Sequence, residues 1–404
     1  MRPGDIVVCD VDMIVQIDLT FAASQPMPKR IADRSKIAVI LDHAVPAPTI
    51  ENAEGQSIAR KFVKDFGIEK FYDVGRGGIC HQVILENGLA LPGQILTCTD
   101  SHTCASGAFN CVARGMGPLE MLQIMCTGKT WYQVAPTVKF ELRGMKPANV
   151  FGKDIFLHLA SVAGSVEGHN IEFGGSGVTE LSLDDRATLA TMAAELSAEF
   201  ATFPADDKLI EHLRTIDTIA DQHFEPASSD PDARYAATYE VSLSELRPYV
   251  ARPDFIPRNT MPVADLDGKV VIDQAFVGSC ANGKLEDLRI AAQVVRGRSV
   301  APGVRFIVTP ASQRVLKEAV RLGYVETLLE AGAVVTNSTC GACYGGHMGV
   351  LGPSEVCITS STRNFKGRMG SPSARIYMAS SATVAASAIA GYISDPSPFL
   401  GDDR

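Results

Sequence analysis

A chain of 404 residues is too long for one typical domain, and its 46% hydrophobic content is enough to build two or three buried cores. The longest apolar runs are far shorter than a membrane span, which argues against a transmembrane protein. The net charge of −9 is spread along the sequence. It argues against a nucleic-acid surface but permits acidic substrates held by a local arginine pocket.

The first predicted domain, residues 1–135, alternates strands and helices. The apolar runs IVVC, KIAVILDHAVP and QILTCTDSH predict strands, and two of them end in the polar groups Asp42–His43 and Asp100–His102. NAEGQSIARKFVKDFG and GPLEMLQIMCTGKTW predict helices, the first of them closed by Gly67. A glycine-flanked segment between them, GICHQVILEN, carries His81.

The second predicted domain covers residues 136–258. The alternating run TVKFELRG predicts a strand, and GHNIEFGGSG predicts another strand that carries Glu172. NVFGKDIFLHLASVAG and DDRATLATMAAELSAEFA predict helices, and the acidic start of the latter suits the helix dipole. Residues 221–259 lack periodicity and predict a connection, apart from the strand-like piece ATYEVSL.

The third predicted domain, residues 259–404, repeats strand and helix signals. They are AFVG, KLEDLRIAAQVV, VRFIVT, QRVLKEAVRLGY, AVVTN, EVCIT, ARIYMAS and TVAASAIAGYI. This alternation predicts an α/β fold with a doubly wound sheet. The last residues, DPSPFLGDDR, predict a tail.

Three short signatures follow apolar runs in this last domain: GSCANG with Cys280, NSTCGACYGG with Cys340 and Cys343, and SSTRNFKGR with Arg363 and Arg368. The preceding runs, AFVG, AVV and EVCIT, predict buried parallel strands. In open α/β sheets, ligands bind at the edge where the strands end. The sequence therefore predicts a metal cluster beside an anion site.

Cys280, Cys340 and Cys343 offer three thiolates, the usual ligands of iron–sulfur clusters, and no fourth ligand is obvious. A closed structural site would need four ligands. Three ligands leave one metal position open to water or substrate, which makes the metal a Lewis acid. A structural zinc knuckle and buried thiols without a metal are the alternatives.

The loop RNFKGR offers two guanidiniums, Arg363 and Arg368, which suit a carboxylate. Beside the cysteines it predicts a site for a di- or tricarboxylate, and an ordinary solvated loop is the alternative. The other five cysteines that lie in apolar runs predict small buried hydrophobes: Cys9, Cys98, Cys111, Cys126 and Cys357. With no disulfide pattern and no signal-peptide pattern, the chain is predicted to be cytoplasmic.

The sequences DH at Asp42–His43 and DSH at Asp100–His102 each join a carboxylate to an imidazole. A carboxylate can fix the tautomer of a histidine and raise its basicity. Neighbouring side chains on a strand point in opposite directions, so such pairs are expected within loops or across them. His81 and Glu172 are candidates for another pair, and structural histidines are the alternative.

Seven motifs occur in one order and cover nearly the whole chain: LDHAVP, GICHQVILEN followed by PG, TDSHT, IEFGG, GSCANG, CGAC and STRNFKGR. By this set the chain resembles the aconitase superfamily, in particular the large subunits of its two-subunit hydro-lyases. The resemblance implies three α/β domains around a central cleft, without the swivelling fourth domain of single-chain members.

The resemblance also implies a reaction and a cofactor. A [4Fe–4S] cluster with one open iron would be held by Cys280, Cys340 and Cys343. The reaction would be dehydration and isomerisation of a hydroxy di- or tricarboxylate, with 3-isopropylmalate or a similar substituted malate as the expected substrate. A homoaconitate or methylmalate-type hydratase is the alternative. An iron-responsive RNA-binding protein is an alternative of another class, and a degenerate scaffold with a structural metal is the third.

By the same likeness, Asp42 and His43 would assist the departure of hydroxide, and Asp100 and His102 would act around the metal-bound water. His81 and Glu172 would form a supporting pair. The residues implied to bind substrate are Ser101, Arg363 and Arg368.

The resemblance implies a partner as well. This chain ends after the third domain, and in the two-subunit relatives a small subunit supplies the swivelling domain with a serine base and a further arginine. The chain alone is therefore expected to be catalytically incomplete. Three positions depart from the family's usual residues, Ala281, Lys284 and Thr362, and they are typical of a divergent branch, in which the substrate can vary among similar malates.

Overall fold

The computed structural model of the protein describes residues 1–400, and the last four residues of the predicted tail lie outside the described residues. The chain forms two compact units. Unit 1 contains residues 1–143 and 166–241, and unit 2 contains residues 144–165 and the chain from residue 242 onward. The α/β class is confirmed, and the three-domain boundaries stay a prediction.

Eighteen strands occur among the described residues. They are β1 Ile6–Asp10, β2 Met13–Ile17, β3 Ile37–Ile40, β4 Lys70–Tyr72, β5 Ile95–Cys98, β6 Val112–Gly115, β7 Lys129–Gln133, β8 Thr137–Arg143, β9 Asn170–Gly174, β10 Ala201–Thr202, β11 Ala237–Ser242, β12 Tyr249–Ala251, β13 Thr260–Pro262, β14 Gln274–Val277, β15 Arg305–Val308, β16 Val334–Val335, β17 Val356–Thr359 and β18 Arg375–Ala379.

Eleven α-helices occur in the same part of the chain. They are α1 Ile50–Phe66, α2 Cys80–Glu86, α3 Pro118–Thr127, α4 Gly152–Ala163, α5 Leu183–Met192, α6 Asp207–Arg214, α7 Ser279–Asn282, α8 Leu285–Val295, α9 Gln313–Arg321, α10 Tyr324–Glu330 and α11 Ser381–Ala390. Gly67 closes α1 in the left-handed conformation, as predicted.

The largest sheet of unit 1 is parallel, with the strand order β4-β3-β2-β5-β6. Its centre is β2, a strand that the sequence analysis did not predict. All four residues of β3 are buried, as expected of a strand covered on both faces. Because parallel strands end at the same edge, the groups that follow β3 and β5, Asp42–His43 and Asp100–His102, lie at one edge of this sheet.

Two smaller sheets complete unit 1: the antiparallel ribbon β1-β7 and a four-stranded sheet of order β10-β9-β8-β11. The second predicted helix of the middle segment is shorter than expected. It ends at Met192, continues as a 3-10 turn over Ala193–Leu196, and is followed by β10. The prediction of one helix as far as residue 201 is therefore wrong.

Unit 2 contains one seven-stranded sheet of order β13-β12-β18-β17-β14-β15-β16. From β18 to β16 the strands are parallel, as the alternation of strands and helices predicts. The burial predicted for the strand before Cys340 is wrong. β16 is an edge strand of two residues, and Val334 is 57% exposed.

Residues 397–400, which belong to the predicted tail, contact α8 and the residues that follow it. Ser397–Phe399 forms a 3-10 turn, and the carbonyl of Leu400 accepts a hydrogen bond from Nε2 of Gln293 on α8. The guanidinium of Arg298 lies 5.5 Å from the Phe399 ring centroid. Within residues 1–400, no helix is long and apolar enough to cross a membrane.

Candidate active site

Asp100, in the turn after β5, is the central hydrogen-bond acceptor of a histidine cluster in unit 1. Its Oδ1 lies 2.7 Å from Nε2 of His81 and accepts the backbone N–H of His102 at 2.8 Å. Its Oδ2 lies 3.5 Å from Nε2 of His43. Burial alone would raise the pKa of Asp100, but hydrogen bonds from the three histidines hold that pKa well below its usual range. Asp100 is therefore a fixed anion.

The predicted pairing of Asp42 with His43 occurs in the loop after β3. Nδ1 of His43 lies 2.7 Å from Oδ1 of Asp42, a carboxylate that is fully buried. Burial would raise the pKa of Asp42, but the charge and the hydrogen bond of His43 outweigh burial and lower it. His43 thus has one ring nitrogen at Asp42 and the other facing Asp100, so its orientation is set from both sides.

A second carboxylate, Asp18, accepts hydrogen bonds from the backbone of this loop. Its Oδ1 accepts the backbone N–H groups of Asp42 and His43 at 3.3 and 3.0 Å, and its Oδ2 accepts that of Ala44 at 2.9 Å. Burial, together with the charge of Asp42, raises the pKa of Asp18 to about 6. Asp18 could not be predicted from the sequence, because only the fold places the end of β2 next to the loop after β3.

Replacing Asp18 by asparagine should change the pH dependence of stability. Because the folded-state pKa is raised, the contribution of this carboxyl is fully present below pH 3.8 and is lost as the pH rises through about 6. That loss is about 3 kcal/mol for a shift of this size. We expect the free energy of unfolding of D18N to lie below that of the parent chain at pH 4 and to approach or exceed the parent value at pH 7.

Urea unfolding across that pH range measures this difference. D33N is the matched control, because Asp33 is exposed and its pKa is lowered by hydrogen bonds from Ser35. The control should show no gain with rising pH. A D18N difference that stays constant from pH 4 to pH 7 would contradict the prediction.

His102 has a partner that the sequence analysis missed. Its Nε2 lies 2.9 Å from Oε1 of Glu195, which belongs to the 3-10 turn Ala193–Leu196. Burial lowers the pKa of His102, but hydrogen bonds with Asp100 and Glu195 outweigh that effect and raise it. One feature of the sequence does indicate such a pair. Glu195 is the single charged residue in the apolar stretch TMAAELSA, and burial of an unpaired carboxylate there would cost free energy.

The predicted pairing of His81 with Glu172 is wrong, because His81 pairs with Asp100. Glu172 instead accepts hydrogen bonds from the hydroxyls of Ser229 and Tyr235, each at 2.7 Å. It ties β9 to the connection that follows α6. Ser101, the predicted substrate contact of unit 1, is exposed in the turn directly after Asp100.

In unit 2 the three predicted ligand cysteines lie on two short elements. Cys280 belongs to α7, directly after β14, and the turn Gly341–Cys343 follows Cys340. α7 packs against this turn, so the elements that carry the cysteines are neighbours. Gly341 has φ +61°, and a Cβ there would lie 2.6 Å from Oγ1 of Thr309, so the turn needs glycine at this position.

A buried polar network fixes α7. The hydroxyl of Ser360 accepts the N–H of Gly278 at 3.1 Å. Nδ2 of Asn282 donates to Oδ1 of Asp287 at 2.8 Å, and the hydroxyl of Ser381 donates to the same oxygen at 2.7 Å. Rigid support of this kind holds a ligand side chain in one orientation.

The two departures in GSCANGK belong to this network. Ala281 is fully buried, and Lys284 is only 2% exposed. The backbone N–H of Lys284 donates to Asp287 at 3.1 Å, and its Nζ donates to the carbonyl of Ala281. Ala281 is thus a buried residue of α7 itself, and Lys284 stabilises the C-terminal end of that helix by its bond to the Ala281 carbonyl.

A cationic group contacts one of the cysteines, and two more cationic residues lie in the same unit. Nη2 of Arg368 lies 3.6 Å from Sγ of Cys343, and Arg363 is half-buried on the same loop. Thr362, the third departure, places its hydroxyl 3.8 Å from the same sulfur. Lys153 on α4 is fully buried, which lowers its pKa to about 7, while the charge of Cys280 opposes that shift.

This donor set fits an iron–sulfur cluster. Cys340 and Cys343 are buried and Cys280 is half-buried, so the thiols lie where solvent is limited. Nearby cations favour the thiolate form that binds iron. By contrast, burial raises the pKa of Cys357 on β17 to about 12, which keeps that thiol protonated.

The family model and the curated relatives identify one family. The model of the aconitase family (aconitate hydratase) matches residues 8–391. The chain is 60% identical over 395 residues to the 3-isopropylmalate dehydratase large subunit of Mycolicibacterium smegmatis, an alignment covering 98% of this chain and 93% of the relative. It is 43% identical over 405 residues to the 3-isopropylmalate dehydratase large subunit 1 of Methanopyrus kandleri, covering 98% and 95%. The solved holo-form of Thermococcus kodakaraensis aconitase X aligns with 88% of this chain and 84% of its own, at 12% identity and a TM-score of 0.49.

Proposed function

The chain belongs to the aconitase family, and on that basis we propose that it is the large subunit of an iron–sulfur hydro-lyase that dehydrates and isomerises 3-isopropylmalate or a similar substituted malate. The observation that carries this proposal is 60% identity to a 3-isopropylmalate dehydratase large subunit over 98% of the chain. The donor set in unit 2 and the histidine–carboxylate cluster in unit 1 supply the chemistry that such a reaction needs.

Unit 1 carries the acid–base groups. Hydroxide is a poor leaving group, so its departure needs a proton donor. Asp42 binds Nδ1 of His43 and leaves Nε2, which faces Asp100, as the nitrogen that exchanges a proton with substrate. Nε2 of His81 pairs with Asp100, and Nε2 of His102 pairs with Glu195. We propose Glu195, rather than Glu172, as the carboxylate that completes this set.

Unit 2 carries the cofactor ligands and the carboxylate-binding groups. Cys280, Cys340 and Cys343 would hold a [4Fe–4S] cluster, which would supply a Lewis acid for the substrate hydroxyl when bound. Arg363 and Arg368 provide guanidiniums that bind a substrate carboxylate. Arg368 also donates to Cys343, so it links the carboxylate-binding loop to the cysteines.

A small subunit is the proposed partner, because the relatives named above are large subunits. We propose that it carries the swivelling domain and completes the catalytic groups. The cytoplasmic location stays a prediction that rests on the free cysteines.

The test is an anaerobic assay of the reconstituted chain with and without its small subunit. With 3-isopropylmalate we expect dehydration by the pair and at least about a 100-fold lower rate by the chain alone, since the small subunit is proposed to complete the acid–base groups. Homoaconitate and methylmalate are the comparison substrates. Full activity of the lone chain would show that no small subunit is needed. A higher rate with another hydroxy acid would identify that acid, rather than 3-isopropylmalate, as the substrate. Salt-dependent binding of RNA by the cluster-free chain would favour the RNA-binding alternative.

A further inference from the structure

We infer that Lys153 is a positioning residue for the cluster, its buried side chain placed to supply a counter-charge to the thiolates of Cys280 and Cys343 when these hold the cluster. This inference rests on the proposed function, since it assumes that the cysteines bind an iron–sulfur cluster. It concerns a residue outside every motif that identified the family, in the middle of a predicted helix.

Lys153 is the second residue of α4, and its side chain has no solvent exposure. Its Nζ donates to the carbonyl of Ser361 at 2.9 Å and lies 3.9 Å from Sδ of Met378. Ser361 directly precedes Thr362, whose hydroxyl contacts Sγ of Cys343. The ammonium is therefore bonded to the segment that touches one of the ligand cysteines.

Asp154, the next residue in α4, anchors the start of this helix. The carboxylate of Asp154 accepts the backbone N–H of Tyr249 at 2.9 Å and that of Phe151 at 3.0 Å. These bonds anchor the first turn of α4 to β12. The Lys153 side chain, which is fully buried and bonded to the Ser361 carbonyl, therefore extends from a fixed point of the backbone.

Burial of an ammonium is costly unless an opposite charge balances it. The opposite charges that act on Lys153 come from Cys280, Asp287 and Cys343. Asp287 already accepts hydrogen bonds from Asn282, Ser381 and the N–H of Lys284. The two thiols are therefore, with Asp287, the groups whose negative charge Lys153 is placed to balance, whereas Lys284 adds a like charge.

This placement has a measurable consequence for a bound cluster. Net charge and hydrogen bonds around the sulfurs set the reduction potential of an iron–sulfur cluster, and a neighbouring cation favours the more negative, reduced state. Groups just beyond the ligands also govern how tightly the metal is held. Removing the cation should lower the potential and speed the loss of iron.

The experiment replaces Lys153 by methionine, which keeps the length of the side chain and removes its charge. K317M is the matched control, because Lys317 is exposed on α9 in the same unit. After anaerobic reconstitution of the full chain, we expect K153M to release iron to a chelator roughly tenfold faster than K317M. A tenfold change in the one-electron reduction equilibrium would lower its potential by about 59 mV.

The cluster-free proteins separate this role from a structural one. In the cluster-free protein, K153M leaves the carbonyl of Ser361 without the donor that Lys153 supplies, so this variant should fold but melt somewhat below the parent. A K153M that fails to fold without the cluster, or whose reconstituted cluster has the reduction potential of K317M, would assign Lys153 to the fold and overturn the inference. Equal iron release and equal potential in the two variants would overturn it as well. A parent chain that binds no cluster would instead contradict the proposed function, and the inference would fall with it.

Discussion

Replacing any one of Cys280, Cys340 and Cys343 by alanine is expected to abolish cluster retention and, with it, catalysis. An iron–sulfur cluster is held by thiolate bonds, and two remaining thiolates leave a second iron without a protein ligand. The cluster-free fold should survive, because α7 and the turn Gly341–Cys343 are fixed by other groups, such as the bond from Asn282 to Asp287.

Iron and sulfide content after anaerobic reconstitution measures this effect, with electron paramagnetic resonance to identify the cluster. We expect less than about one-hundredth of the parent iron in each variant, since loss of a ligand removes much of the binding free energy. C357A is the matched control, a buried cysteine of the same sheet whose raised pKa keeps it protonated. It should retain the cluster.

Two outcomes would contradict the prediction. If all three variants unfold without metal, the cysteines serve a structural site, as in proteins that fold only with zinc bound. If C357A loses iron as completely as C343A, the assay reports general damage to unit 2 rather than loss of a ligand.

The sequence was sufficient for features that depend on local signals. Strand-forming runs followed by polar groups predicted the ends of β3, β5, β14 and β17, where the candidate residues lie. The grouping of Asp42–His43 with Asp100–His102 at one edge depends on the strand order, which the structure supplies through the unpredicted strand β2. The seven motifs added the family, which the full-length matches confirm.

Partners that are distant in the sequence were not predictable in this way. Glu195 is 93 residues from His102, and it lies in a turn that the sequence analysis assigned to a continuous helix. Lys153 is 208 residues from the carbonyl that it binds, and its apolar neighbours indicate only a buried helix. In both cases burial makes a charged side chain informative, and burial is known only once the fold is known.

The exposure of β16 shows the same limit. AVV is as apolar as the runs that form the central strands, yet β16 is at the end of the sheet, where one side has no neighbouring strand. The strand order decides this, and no local pattern contains it.

Replacing Asp100 by asparagine is expected to lower kcat by about 10³- to 10⁴-fold, the range found when an aspartate that orients a catalytic histidine becomes an amide. Asp100 accepts from His81 and from the N–H of His102, and its other oxygen faces His43. An amide offers one acceptor oxygen and a donor NH₂ in place of the second, so it cannot serve all three histidines. The imidazoles would then lose both their orientation and their neighbouring anion.

Steady-state kinetics of the reconstituted enzyme with its small subunit tests this prediction. D65N is the matched control, an exposed carboxylate of unit 1 that pairs only with Lys61 among the described contacts, and it should be unaffected. Cluster content should match the parent in D100N, because the cysteines belong to unit 2. The loss should therefore appear in kcat, with a smaller change in KM, since a proton-transfer group stabilises the transition state more than bound substrate. A fall in kcat of less than tenfold would mean that the histidines keep their orientation without Asp100, and the acid–base role proposed for unit 1 would then rest on Asp42 and Glu195 alone.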